Sequence, residues 1–250
     1  MKLIDTHCHL EQDAFEPDLD KIILESKKKG IFCITSAVAP DDWQRGIEIS
    51  EAYDSVFGSL GLDPLSSRNM EQLISLVREH QDSIVAIGEI GLDHYRERDH
   101  AARNIQEDNF RKGIELAKDL KFPIQIHSRS AGRRVLEVLS EMEAPDVHLH
   151  AFDGKSSLAR MASNDLGYYF SIPTSVVRSP QKQKLVKAVN IERLLIETDS
   201  PVLGPEKGMR NTPLNLPIAL KEVSKILRRD EEELREMILE NTLRLYTRIR

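Results

Sequence analysis

Leu3-Ile4-Asp5-Thr6-His7-Cys8-His9 opens the chain almost at its first residue. An apolar pair running into polar residues reads as a strand that ends at a functional edge. Side chains alternate along a strand, so His7 and His9 face one side and Cys8 the other. Two imidazoles on one face can hold a divalent cation, and they can equally fill a polar corner of a core. Further ligand-type residues bear on that choice, because they recur at the ends of later apolar runs: Glu89, His127, His150 and Asp199.

Outward from this stretch, a short β-rich run followed by a longer amphipathic one repeats through eight cycles. Strands are predicted over Lys2 to His7, Phe32 to Ser36, Val56 to Leu60, Ile84 to Ile87, Ile124 to His127, Val147 to His150, Tyr168 to Ser171 and Leu194 to Glu197. Between them lie helical patterns such as Leu19 to Lys29, Met70 to His80, Ala101 to Leu120 and Arg133 to Glu141. Two more, Pro217 to Arg228 and Asp230 to Tyr246, follow the last strand. Alternation of this kind implies parallel pairing through crossovers, and eight unbroken units predict an α/β fold of the closed TIM-like (β/α)8 type. An open doubly wound sheet is the alternative. No linker, repeat or low-complexity tract divides residues 1–250, so a single domain is expected.

Composition narrows the class. With 40% hydrophobic and 30% charged residues the chain is that of a globular protein, neither disordered nor fibrous. No apolar run is long enough to span a membrane, and no signal-peptide core precedes Leu3, which together predict a cytoplasmic protein. Cys8 and Cys33 are the two cysteines, too few for a disulfide framework. A net charge of −6 argues against adhesion to nucleic acid over the whole surface, leaving room for a local basic rim. Arg178, Lys182, Lys184 and Lys187 cluster within ten residues, for which a solvated helix face is the simplest reading. Nothing points to a protein partner.

In a barrel the C-terminal strand ends converge on one axis, and the candidate ligands fall there: His7 and His9 at the end of the first strand, Glu89 of the fourth, His127 of the fifth, His150 of the sixth and Asp199 of the eighth. Four imidazoles and two carboxylates exceed the needs of one catalytic zinc. Two ions roughly 3.5–4 Å apart, bridged by a carboxylate, would use them all. Of the other histidines, His148 lies one layer deeper than His150 and reads as a hydrogen-bonded core residue, while His80, His94 and His100 fall in helical or loop contexts.

Several stretches together resemble the TatD family of metal-dependent deoxyribonucleases, within the wider amidohydrolase-like barrels. They are Ile4-Asp5-Thr6-His7-Cys8-His9-Leu10, Gly88-Glu89-Ile90-Gly91-Leu92-Asp93, Pro123-Ile124-Gln125-Ile126-His127-Ser128-Arg129, His150-Ala151-Phe152 and Glu197-Thr198-Asp199-Ser200-Pro201, followed by Arg210-Asn211. Tyr168-Tyr169-Phe170-Ser171-Ile172-Pro173 and the Gln-Lys run after it are similar to the branch shared by eukaryotes and archaea. The resemblance implies His7, His9 and Asp199 on one metal, His127 and His150 on the other, and Glu89 as the bridge. It also implies hydrolysis of phosphodiester bonds, with DNA as substrate and a preference for chain ends.

Three blocks depart from the family pattern. Gly61-Leu62-Asp63-Pro64 carries Asp63 where the family has a histidine near the substrate phosphate; Arg129-Ser130-Ala131 and Arg210-Asn211-Thr212-Pro213 differ at Ser130 and Thr212. All spare the ligands, so they bear on substrate choice. On this reading two divalent cations, Mg, Mn or Zn, serve a reaction in which Asp199 is the general base, with Glu89 holding the pair. Arg129 and Arg210 could grip phosphate oxygens or form structural ion pairs. An amide, ester or aminoacyl-tRNA hydrolase on the same barrel is a second reading, and a metal-binding scaffold without catalysis a third.

Overall fold

The computed structural model describes residues 2–66 and 68–249. Among them, eight strands alternate with helices: β1 (Leu3–Cys8), α1 (Leu19–Lys28), β2 (Ile31–Ala37), α2 (Trp43–Ala52), β3 (Val56–Leu60), α3 (Met70–Glu79), β4 (Ile84–Gly91), α4 (His100–Leu120), β5 (Ile124–His127), α5 (Gly132–Glu141), β6 (Val147–Leu149), α6 (Ser156–Asp165), β7 (Tyr169–Pro173), α7 (Pro180–Val186), β8 (Leu194–Glu197), α8 (Leu216–Leu227) and α9 (Glu231–Leu245). Each strand pairs in parallel with the next in the order β1 to β8. A doubly wound sheet would reverse its strand order at a switch point. The uninterrupted order therefore excludes that alternative and gives the (β/α)8 barrel.

The seam between β8 and β1 closes by unusual means. His9 N–H donates to Ser200 O at 2.8 Å and Asp199 N–H to His7 O at 2.9 Å, just past the end of β8. Lower down, side chains replace the ladder. The Asp5 carboxylate accepts from Thr198 N–H at 2.8 Å and from its hydroxyl, while the Thr6 hydroxyl donates to Ile196 O at 3.0 Å. Backbone groups that would otherwise lie buried without partners are thus satisfied by the two polar residues just before His7.

Two bulges aim the site. Along β4, Ile87 pairs with Ile124 and Ile90 with Ile126, three steps against two. Ile87 and Ile90 both join the outer apolar layer as a result, and Glu89 turns to the barrel axis, where strict alternation would send it outward. Gly88 (φ +132°) and Gly91 (φ +152°) flank it; a Cβ there would stand 2.5 Å from Gln125 O and 2.1 Å from His127 O. Glycine is what lets β4 lie against β5 at this point. Along β1, Asp5 opposes Cys33 and Cys8 opposes Thr35, again three steps against two. Cys8 consequently packs outward with Leu10, Ile22 and Cys33, as the alternation predicted, and His7 points in.

The other end of the barrel is plugged from outside. Ile4, Ile34, Val85, Ala86 and Leu195 meet Leu245, Tyr246 and Ile249 of the C-terminal segment. No described helix is long and apolar enough to cross a membrane.

Candidate metal centre

The six residues singled out as ligands come together at the C-terminal end of the barrel. His7 and His127 lie in β1 and β5; Glu89 sits inside β4, two residues before its end; His9, His150 and Asp199 lie one, one and two residues beyond β1, β6 and β8. Glu89 is the common neighbour. Its Oε2 lies 2.6 Å from His150 Nε2 and 3.1 Å from His7 Nε2, and its Oε1 lies 3.4 Å from His127 Nδ1. Asp199 Oδ1 lies 3.6 Å from His7 Nε2 and 3.5 Å from His9 Nε2. Three overlapping triads have all their ligand atoms within 4.8 Å: His7, His9 and Glu89; His7, His150 and Asp199; Glu89, His127 and His150.

Two observations show that the donor set fits divalent cations. Buried His7 Nε2 and Glu89 Oε2, both facing the cluster, have no hydrogen-bond partner, although buried polar atoms almost always find one. On three of the four rings the nitrogen turned away from the cluster is tethered, as expected of metal-binding imidazoles, and on His150 that nitrogen, Nδ1, has no partner. His7 Nδ1 meets Gln125 Oε1 at 3.1 Å, His9 Nδ1 meets Ser36 O at 2.8 Å, and His127 Nε2 meets Asp93 Oδ2 at 3.3 Å. Each tether presents the other nitrogen to the cluster.

Charge in the cluster is sharply divided. Burial disfavours the imidazolium of His127, but the Glu89 and Asp93 carboxylates prevail and hold it up to about 10. Burial, reinforced by His7, pushes His150 down to about 4. Burial likewise opposes the charge on Asp199, yet His9, His150 and His7 keep its carboxyl below the usual range. A buried array of this kind marks a functional site, and cations would compete with protons for it.

Beneath the centre runs a chain of buried hydrogen bonds. Gln125 Nε2–H donates to the Tyr246 oxygen at 3.0 Å; Tyr246 O and His148 Nδ1 are 2.6 Å apart, as are His148 Nε2 and Ser171 Oγ. Ser171 O–H donates to Glu197 Oε2, and Glu197 Oε1 accepts from Ala151 N–H at 2.9 Å. Burial drives His148 far below the usual imidazole range, so it stays neutral. With Nδ1 accepting and Nε2–H donating, every group has a partner. His148 is the core residue its spacing predicted.

The family model for TatD related DNase matches residues 4–247. The chain belongs to that family. Deoxyribonuclease TATDN3 of Homo sapiens is 36% identical over 265 residues, covering 99% of this chain and 96% of that protein. An uncharacterized metal-dependent hydrolase of Methanocaldococcus jannaschii is 32% identical over 252 residues, covering 99% and 98%. Among solved structures, the crystal structure of YJJV, a TatD homolog from Escherichia coli K12, is 25% identical with a TM-score of 0.89 over 98% of both chains.

In this TatD-family chain a cavity of about 520 Å³ opens above the ligands, and it is lined by Asp63, Arg129 and Lys182 among others. Asp63 does not stand alone in it. Arg96 grips both its oxygens at 2.8 and 2.7 Å and reaches Asp93 Oδ2 at 2.9 Å, so the β3 and β4 loops are pinned together and to the partner of His127. Arg129 is exposed, its guanidinium 4.1 Å above the Tyr95 ring. Arg210 does not reach the cavity lining: it forms a two-pronged pair with Asp18 at 2.9 and 2.6 Å and donates to Ala14 O. The placement favours the structural ion pair for Arg210. Its neighbour Asn211 is buried and ties down the β8 loop through Thr198 O and Val202 O.

One reading needs correction. Lys182 does not belong to a solvated face: it is 8% exposed and donates to Ala151 O at 2.6 Å and Phe152 O at 2.9 Å. Lys184 and Lys187, on the same short helical stretch, are exposed as expected. Sequence reasoning also passed over Asp93, Arg96, Gln125 and Glu197. Gln125 carried a signal, since a polar residue two positions before His127 in an apolar run must share its face.

Proposed function

We propose that the protein is a two-metal hydrolase of phosphodiester bonds that acts on DNA with a preference for chain ends. The observation that carries this is Glu89, whose Oε2 lies against both His7 and His150 and whose Oε1 lies against His127. His7, His9 and Asp199 would hold one cation, His127 and His150 the second, with Glu89 common to both. A mixed histidine and carboxylate set suits Zn or Mn and admits Mg. When bound, two such cations supply charge neutralisation at phosphoryl oxygens and acidify water.

The chain's own residues supply the rest. Asp199, which lines the cavity and is kept ionised by the neighbouring histidines, would take the proton of the attacking water. Arg129 presents an exposed guanidinium at the mouth for a phosphate oxygen, its plane steadied by Tyr95. The Arg96 bridge from Asp63 to Asp93 holds the outer partner of His127, a positioning role. The human relative is a deoxyribonuclease and the archaeal one a metal-dependent hydrolase, which supports the same reading.

The test is a parallel assay of the metal-loaded protein on end-labelled single-stranded DNA, a small phosphodiester, and panels of amides and esters. Cleavage of the DNA from an end is expected. Turnover of amides or esters with every phosphodiester untouched would reject the proposal and turn attention to Asp63.

A further inference from the structure

Lys182 poses an electrostatic problem that the proposed function leaves unsolved. Its ammonium is buried in the cavity wall, and no carboxylate of the described residues stands within 4.0 Å of it. A buried charge without a counter-ion is costly, and two neutral carbonyls offset only part of the cost. An ammonium has three N–H donors in all. Ala151 O and Phe152 O take two of them, and the residue also borders the cavity above the ligands.

Holding the loop after β6 does not by itself account for the lysine. Gln181, one residue earlier, already donates to Phe152 O at 3.1 Å and to Gly154 O at 3.2 Å. The two carbonyls fix the ammonium at one point on the wall, and the charge is what remains without a function. Glu197, Asp153 and Asp199 are near enough to favour the charged form against burial, which still draws the lysine below its usual value.

We propose that the Lys182 ammonium binds a phosphoryl oxygen of the substrate inside the metal cavity, as a fixed cation additional to the metals and to Arg129. This rests on the phosphodiester reading for its substrate, though not for its test. An anion that enters the cavity gains a preoriented charge-assisted hydrogen bond, and the ammonium gains the counter-ion it lacks. The residue therefore contributes to substrate binding rather than to bond breaking.

The probe is inorganic phosphate, titrated calorimetrically into the metal-loaded protein and into Lys182→Gln, Lys182→Met and Lys184→Gln. Metal content and melting temperature are measured on each. Both Lys182 variants should weaken phosphate binding about tenfold with metal content unchanged, and Lys184→Gln should bind like the wild type. With single-stranded DNA, the same two variants should raise KM about tenfold, change kcat less than threefold, and flatten the dependence of log KM on log salt by about 0.7. A purely structural lysine would not move that slope. Should either variant retain its metals and bind phosphate as tightly as the wild type, or should Lys184→Gln weaken binding equally, the assignment is overturned. Phosphate binding that depends on Lys182 in a protein that leaves DNA intact would instead reject the nuclease reading and keep the phosphate site.

Discussion

His148 and His150 lie two residues apart at the end of β6, both directed into the barrel, and their surroundings could hardly differ more. The deeper ring has a partner on each nitrogen, Tyr246 and Ser171, and closes a chain in which donors and acceptors balance. The upper ring meets Glu89, His127 and the stacked face of His7, 4.0 Å between centroids, with one nitrogen unpartnered. Burial is nearly equal, 0% and 5% exposed, so it does not tell them apart. Satisfaction does. A polar group whose hydrogen bonds are complete belongs to the fold, and a cluster of buried groups with incomplete ones is organised for something to be bound.

The largest consequence concerns that pair. His150→Ala should reduce phosphodiester hydrolysis by more than about 100-fold, beyond what loss of an outer-shell partner costs, with the far-ultraviolet spectrum unchanged. Asp199→Asn is expected to come next: kcat lower by about 100-fold or more with KM little altered, since the amide cannot accept the proton. His148→Phe inverts the pattern. It should retain metal and most of its activity while losing about 2 kcal/mol, which in a chain of this size lowers the melting temperature by about 4–8 °C. If His148→Phe strips a metal at unchanged melting temperature, the boundary between fold and site lies deeper than drawn.

The smallest effect is far from the centre. On the outer helical layer Arg134, joined by Arg111, holds the Glu107 carboxyl down to about 2. A depressed value means that the pair stabilises the folded state above the ordinary carboxylate value of 4.5 and that this contribution fades as pH falls towards about 2. Melting curves of the wild type and Glu107→Gln should therefore be separated near neutrality and converge on acidification. Curves that remain equally separated at the acidic end would show that the pair acts through packing instead.

Much of this was legible in the sequence because periodicity is a local property. The eight-fold alternation gives the barrel, and β3, β5 and β8 match the predicted bounds. Residues at strand ends gave the six-membered cluster, since a barrel brings those ends together whatever the details. What escaped depends on contacts remote in sequence. The inward turn of Glu89 needs a bulge that alternation alone does not foresee. Tyr246 enters the polar chain from the end of the last helix, one residue past α9 and 121 residues beyond Gln125. Lys182 resembles its neighbours in the lysine run until α7 docks on the loop after β6, and Arg210 meets Asp18 across 192 residues. In such cases the sequence displays the charge, and only the fold supplies the counter-charge or withholds it.

The central claim is that one carboxylate holds two cations. Equilibrium metal analysis of the wild type and Glu89→Gln, with the affinity of each ion resolved, tests it most directly. Two ions per chain at saturation are predicted, and a substitution that weakens both together. A wild type that saturates with one ion, or a variant that keeps its ions at unchanged affinity, would contradict it.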